Sequence, residues 1–218
     1  MAERTKFKLT GIGRIIDGAV LYRIQAVKKF GNVKVGDIGG WVEKEENLSH
    51  QGTCWIAEDA EVYGNARITG DAQIFGKAKV YGNARISEKA QVFGNTRIFD
   101  NAIIYGSPTI KNAKIYGNSK VSGTSEVCGE VCGYAWVFSE AKVHSEGKVS
   151  GYSMIHGKAQ VYGKVSGDKK VFGDTIIEKK FGNVKIGDIG SWVRERIQEK
   201  IEELKVKIKE AVNNHFKS

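Results

Sequence analysis

The chain has 218 residues, 41% of them apolar, with 27 glycines against one proline and a formal net charge of +9. That content suffices for one buried core with caps, and the periodic placement of the glycines excludes a disordered glycine-rich chain. The opening M-A-E-R-T-K-F-K-L-T has no apolar signal core and no run approaches a membrane span; a cytoplasmic protein without membrane contact is expected, with a basic balance that favours an anionic partner.

Lys6 to Thr10 and Ala19 to Val27 read as two strands joined around Asp17 and Gly18, a β-hairpin cap spanning residues 1–37. The first coil starts near Ile38, with Val42, Leu48 and Trp55 as anchors. The stretch K-K-F-G-N-V-K-V-G-D-I-G-G-W-V from Lys28 to Val42 returns as K-K-F-G-N-V-K-I-G-D-I-G-S-W-V from Lys179 to Val193, changed only at Val35/Ile186 and Gly40/Ser191. One copy at each end of the repeats reads as a duplicated capping turn in which Phe30 and Trp41, like Phe181 and Trp192, plug the open core. The alternative is a duplicated ligand loop that adds Asp37 and Asp188.

Between the copies a branched aliphatic recurs every six residues: Ile56, Val62, Ile68, Ile74, Val80, Ile86, Val92, Ile98, Ile104 and Ile110. No amphipathic helix has that period. A small residue follows four positions later (Ala60, Ala66, Ala72, Ala78) and a glycine commonly two later (Gly64, Gly70, Gly76, Gly82). A short strand with one inward aliphatic, a corner that accepts φ > 0 and a small residue inside the bend make one side of a coil, and three sides close a triangle. The fold expected for residues 38–190 is therefore an all-β, three-sided parallel solenoid.

The units V-Y-G-N-A-R at Val62 to Arg67 and again at Val80 to Arg85 resemble the hexapeptide-repeat superfamily. That resemblance implies a left-handed parallel β-helix, commonly a homotrimer, on a fold that serves acyltransferases, γ-class carbonic anhydrases and non-enzymatic scaffolds alike. The stretch from Tyr22 to Leu48 followed by Y-G-N-A-R units is similar to phage and bacterial hexapeptide-repeat proteins labelled as transferases. Capture of a nucleotide-like ligand, contact with a host protein in the host cytoplasm, or a structural virion role are what this narrower resemblance implies.

From Ser191 the pattern becomes helical: Ile197, Ile201, Leu204, Ile208 and Ala211 form an a/d seam within residues 191–218, flanked by charges. Such a lone helix needs an apolar partner, either copies of itself in a trimer or a solenoid wall.

Stepping three units from Val62 collects Val62, Val80, Ile98, Ile115, Val137, Ile155 and Ile177 on one wall. This register takes a five-residue unit at Ile110 to Ile115, and loop-like excesses of four residues at Val127 to Val137 and Val161 to Val171. The outward neighbours would be an aromatic ladder of Tyr63, Tyr81, Phe99, Tyr116, Phe138 and His156, interleaved with Lys79, Arg97 and Lys114. The second wall would carry Arg67 and Arg85 before its aliphatics, with Thr69, Ser87, Tyr105, Ser122, His144 and Tyr162 after them; the third, Phe75, Phe93, Lys111, Cys128, Ser150 and Phe172. An exposed aromatic wall of that size marks an interface between copies in a trimer, with cross-rung stabilisation and a site for a planar or anionic ligand as the alternatives.

Chemistry is sparse. The resemblance to hexapeptide acyltransferases implies a histidine general base with acyl-CoA along the coils, for which His50, His144 and His156 are the candidates; His144 and His156, twelve residues apart, should stand on different walls and meet only across a trimer interface. The three-histidine zinc spacing is absent, C-x-x-x-C at Cys128 and Cys132 is a weak metal signal, and no phosphate-cradling loop or nucleic-acid module is present. No metal, cofactor or nucleic acid is expected. The chain reads as a non-enzymatic trimeric binding protein whose cations Arg67, Arg85, Arg97, Lys79 and Lys114, with Tyr63, Tyr81, Phe99 and Tyr116, hold an anionic small molecule or a protein; the acyltransferase is the alternative.

Overall fold

The computed structural model describes residues 5–178. The second copy of the duplicated segment and the helical seam lie outside the described residues.

Three sheets form the walls of a parallel β-solenoid, with ten, eight and seven strands. The first wall begins with β1 (Phe7–Ile16), β2 (Ala19–Ala26) and β3 (Ile38–Val42), and continues through two-residue strands ending at Val62, Val80, Ile98, Ile115, Val131, Val149 and Val165. The second stacks strands at Ile68, Ile86, Ile104, Val121, Val137, Ile155 and Val171; the third runs from Ile56 through Ile74 to Ile177. One aliphatic per coil strand points inward and, except for the partly buried Ile177 at the end, is buried; each buried side chain contributes about 1.5–3 kcal/mol. Small residues such as Ala66 and Ala84 fill the corners between them.

On most sides the corner residue two after the aliphatic is left-handed, with Gly129, Ser145 and Gly163 among the exceptions. Gly64 takes φ 67° there at no steric cost, whereas Asp100 adopts φ 56° at the same place and its carboxylate accepts the Gly117 N–H at 3.0 Å. Each coil rests on the next through backbone hydrogen bonds such as Tyr63 N–H to Val80 O at 3.0 Å.

The expected register holds from Val62 to Ile115 and fails beyond it. Val131, not Val137, lies under Ile115 on the first wall, and Val137 and Ile155 belong to the second wall while Ile177 belongs to the third. What reads as an excess of four residues is a complete triangle side shortened by two: in V-C-G-E-V, Gly129 serves directly as the small corner residue and the two turn residues are missing. Val161 to Val165 repeats the device. His144 and Tyr162 consequently move to the third wall, Ser150 to the first, and Phe138, His156 and Phe172 to the second.

At the amino-terminal end β1 extends to Ile16, six residues beyond the expected Thr10, because a bulge between Leu9 and Gly13 keeps it paired with β2. Asp17 (φ 49°) and Gly18 (φ 84°) make the predicted two-residue turn. β3 pairs antiparallel with β2 and parallel with the Val62 strand, so the cap is continuous with the first wall. The coil's third anchor is Ile56, one residue after the expected Trp55; Trp55 instead packs edge-on against Phe30, ring centres 5.4 Å apart. Phe30 plugs the core as expected. Trp41 does not: it faces outward between the guanidinium groups of Arg14 and Arg23, 4.0 and 4.4 Å from its ring. Lys6, fully buried, closes this end by donating to Cys54 O at 2.8 Å, Gly52 O at 3.4 Å and Cys54 Sγ at 3.2 Å.

Candidate functional site

The first wall stacks Tyr63, Tyr81, Phe99 and Tyr116 at centroid spacings of 5.1, 5.0 and 5.0 Å, their planes within 7° of parallel. Four rungs, not six, make this ladder, because Cys132 follows Tyr116 in the next coil; Phe138 and His156 stack with Phe172 on the second wall. Tyr63 is buried beneath the hairpin with Leu21 and Trp41, and its hydroxyl donates to Asp17 Oδ2 at 2.9 Å. Burial, then the Asp17 carboxylate, holds the Tyr63 phenol well above its usual range. Since the ring faces meet one another, a planar ligand has no opening between rungs.

The cations on this wall are largely engaged. Lys79 pairs with Glu61 at 2.8 Å, and Arg14 from β1 pairs with the same carboxylate at 2.7 Å. Lys114 lies over the Tyr116 ring at 4.7 Å. Arg97 and Lys114 line a shallow groove of about 240 Å³ with Glu130. Glu130 takes Lys148 at 2.8 Å and the Tyr116 hydroxyl at 2.6 Å. Burial pushes the Glu130 carboxyl upward, but those two hydrogen bonds prevail and hold it below its usual range.

Two unpaired cations stand one corner away. Arg67 and Arg85 are exposed on the second wall, in register on adjacent coils, and among the described residues neither forms a salt bridge. With Lys44 they line a groove of about 630 Å³ that also holds Glu46, Asn65, Asn83 and Asn101. Its upper end is closed by the short 3-10 turn Glu45–Asn47, where the buried Asn47 amide donates to Gly64 O at 3.2 Å and Ala66 O at 2.9 Å. Three cations against one carboxylate leave this groove positive. The structure thus separates the nine predicted binding residues into two sets: Arg67 and Arg85 in the groove, and Lys79, Arg97, Lys114 and the four aromatics on the neighbouring wall.

One set of residues was missed in the sequence reading. In Y-G-N-A-R the residue after the left-handed glycine projects from the corner, and its amide reaches the equivalent residue one coil below: Asn65 donates to Asn83 at 3.2 Å, Asn83 to Asn101 at 3.0 Å and Asn101 to Asn118 at 3.1 Å. The column continues as Tyr134 and Tyr152, stacked at 4.8 Å and exposed by 56% and 66%. The recurrence of Asn at 18, 18 and 17 residues was visible as text, but Asn after Gly is also ordinary turn composition.

Within the chain, His144 and His156 are not brought together. His144 stacks on Tyr162 at 3.8 Å with Nε2 3.2 Å from Gln160 Oε1, and His156 stacks between Phe138 and Phe172. They occupy different walls, as their spacing predicts. Cys128 and Cys132 likewise fall on adjacent walls, and among the described residues no group of three His, Cys, Asp or Glu could hold a metal ion. Among the described residues no helix is long and apolar enough to cross a membrane.

No curated protein matches the chain. A family model described as the YdcK beta-solenoid repeat matches residues 60–76, a stretch covering about one coil at the top of the Arg67 groove, and together with the three parallel walls this fits a hexapeptide-repeat-like β-helix.

Proposed function

We propose that the chain is a non-enzymatic binding protein that holds an anionic ligand in the corner groove. The observation that carries this reading is the unpaired, in-register Arg67 and Arg85 facing Lys44 across about 630 Å³ of open space. Guanidinium groups free of carboxylate partners are poised for bidentate contacts to phosphate or carboxylate. Assembly of copies through the seam of Ile197, Ile201, Leu204 and Ile208 is part of the same proposal, with a trimer as the expected size.

Native mass spectrometry of the purified chain tests both. The expected spectrum shows three-subunit particles carrying a small acidic molecule that is absent from Arg67→Glu/Arg85→Glu. Ligand-free particles that bind acyl-CoA, and lose turnover in His144→Ala or His156→Ala, would refute the binder and establish the acyltransferase.

A further inference from the structure

We propose that the corner edge is a binding track for an extended acidic glycan, one sugar per coil; this rests on the groove reading above and specifies its ligand. Recognition elements recur at the same place on successive coils. The column Asn65, Asn83, Asn101, Asn118, Tyr134, Tyr152 spans five steps, about 24 Å at the strand spacing of about 4.8 Å. A mononucleotide or other small anion uses one or two of these coils and leaves the rest without a role.

The chemistry of the track favours a sugar. The inner amides Asn83 and Asn101 each spend one N–H and one oxygen lone pair on their neighbours, Asn65 spends only an N–H and Asn118 only a lone pair, so every rung keeps at least one donor and one acceptor together. Vicinal hydroxyls need that pair, since each gives and accepts. An extended β-1,4-linked glycan advances by close to the strand spacing per sugar, and although alternate sugars turn opposite edges to the track, both edges carry hydroxyls that give and accept. The stacked Tyr134 and Tyr152 rings, their faces turned to one another, present an exposed apolar edge along which the C–H groups of a sugar can lie. Arg67 and Arg85 flank the upper rungs, which places the carboxylates of an acidic chain there. A single-stranded nucleic acid is a poorer match: its bases need open aromatic faces, and cations should follow its backbone throughout. Here the column beside the edge passes from Arg85 through Ile103 and Lys120 to Trp136.

Titration calorimetry of the full chain with β-1,4-linked oligoglucuronates of one, three and six units tests the track, with cellohexaose and hexauridylate as comparison probes. The six-unit acid should bind at least tenfold tighter than the single sugar and tighter than either comparison probe. Asn83→Ala/Asn101→Ala and, separately, Tyr152→Ala should each cut six-unit affinity about tenfold at unchanged circular dichroism; Tyr152 lies outside the amide ladder and guards against a folding effect. Equal affinity for one and six units, preference for hexauridylate, or no binding of any probe would overturn the proposal. Arg-dependent binding of the single sugar without any gain from length leaves the groove reading standing and removes the track. Unchanged binding in Arg67→Glu/Arg85→Glu removes the groove reading itself.

Discussion

Replacing Gly129 with alanine should unfasten the first shortened corner. Its backbone φ is not left-handed, so alanine meets no conformational penalty there. The obstacle is space: an added Cβ would overlap the carbonyl oxygens of Gly147 and His144 and stand 3.0 Å from Val143 Cγ1. Those carbonyls are fixed, since Gly147 O accepts Glu130 N–H at 2.9 Å and His144 O accepts Gly147 N–H at 2.7 Å. Relief requires the two coils to part, adding overpacking of about 1–3 kcal/mol to the loss of a buried backbone bond, about 1–3 kcal/mol. The sum, about 2–6 kcal/mol, lowers the melting temperature by roughly 4–24 °C at 2–4 °C per kcal/mol for a domain of this size. Gly11→Ala is the control, because nothing lies within 4 Å of its added Cβ. Urea and thermal denaturation of both variants supply the comparison. A Gly129→Ala protein within about 0.5 kcal/mol of wild type would refute the shortened corner.

Tyr63→Phe removes the hydroxyl bonded to Asp17 and should cost about 0.5–1.5 kcal/mol, with hydrogen exchange rising in residues 13–22 while the coils below stay protected. Uniform deprotection would contradict a hairpin held at its tip. Lys6→Met leaves the Cys54 and Gly52 carbonyls without their donor and should destabilise by about 1–3 kcal/mol; equal or greater stability would mean that burying this ammonium, already displaced toward its neutral form by burial, is a net cost. The Glu130 pairing sets a pH window. Its carboxyl is depressed in the fold, so its contribution is complete above the ordinary carboxylate value of about 4.3 and fades as pH falls through the folded value. Lys148 is raised by its bond to Glu130, so its share is complete below about 10.4 and fades as pH rises through the folded value. The stability difference between wild type and Glu130→Gln should therefore be flat near neutrality and vanish in acid; a difference unchanged in acid would contradict the pairing.

The coil was legible because its determinant is local: each Ile or Val needs only its own strand and the coils above and below. The first-wall stack from Tyr63 to Tyr116 followed directly. Register beyond Ile115 was not legible from period alone, since ten residues from Val127 to Val137 parse equally as six and a loop or as two sides of four and six. Val131 and Val165, each two residues after a glycine standing at the small position, carried the signal that a side can lose its turn. Trp41 defeated expectation because a large aromatic beside an open end suggests a plug, and only the approach of Arg14 and Arg23 shows why it can face out. The corner groove depends on Lys44 meeting Arg67 and Arg85 across coils, a juxtaposition no short spacing announces.

The continuous edge, and with it the candidate site, depends on Val131 lying beneath Ile115. In Tyr116→Cys the introduced thiol would stand on the coil directly above the native Cys132, at a separation suited to a disulfide. Mild oxidation followed by peptide mass mapping should give a link between position 116 and Cys132. Failure of that link, together with a ready one between positions 116 and 138 in Tyr116→Cys/Phe138→Cys/Cys132→Ser, would put Val137 under Ile115 and dissolve the edge.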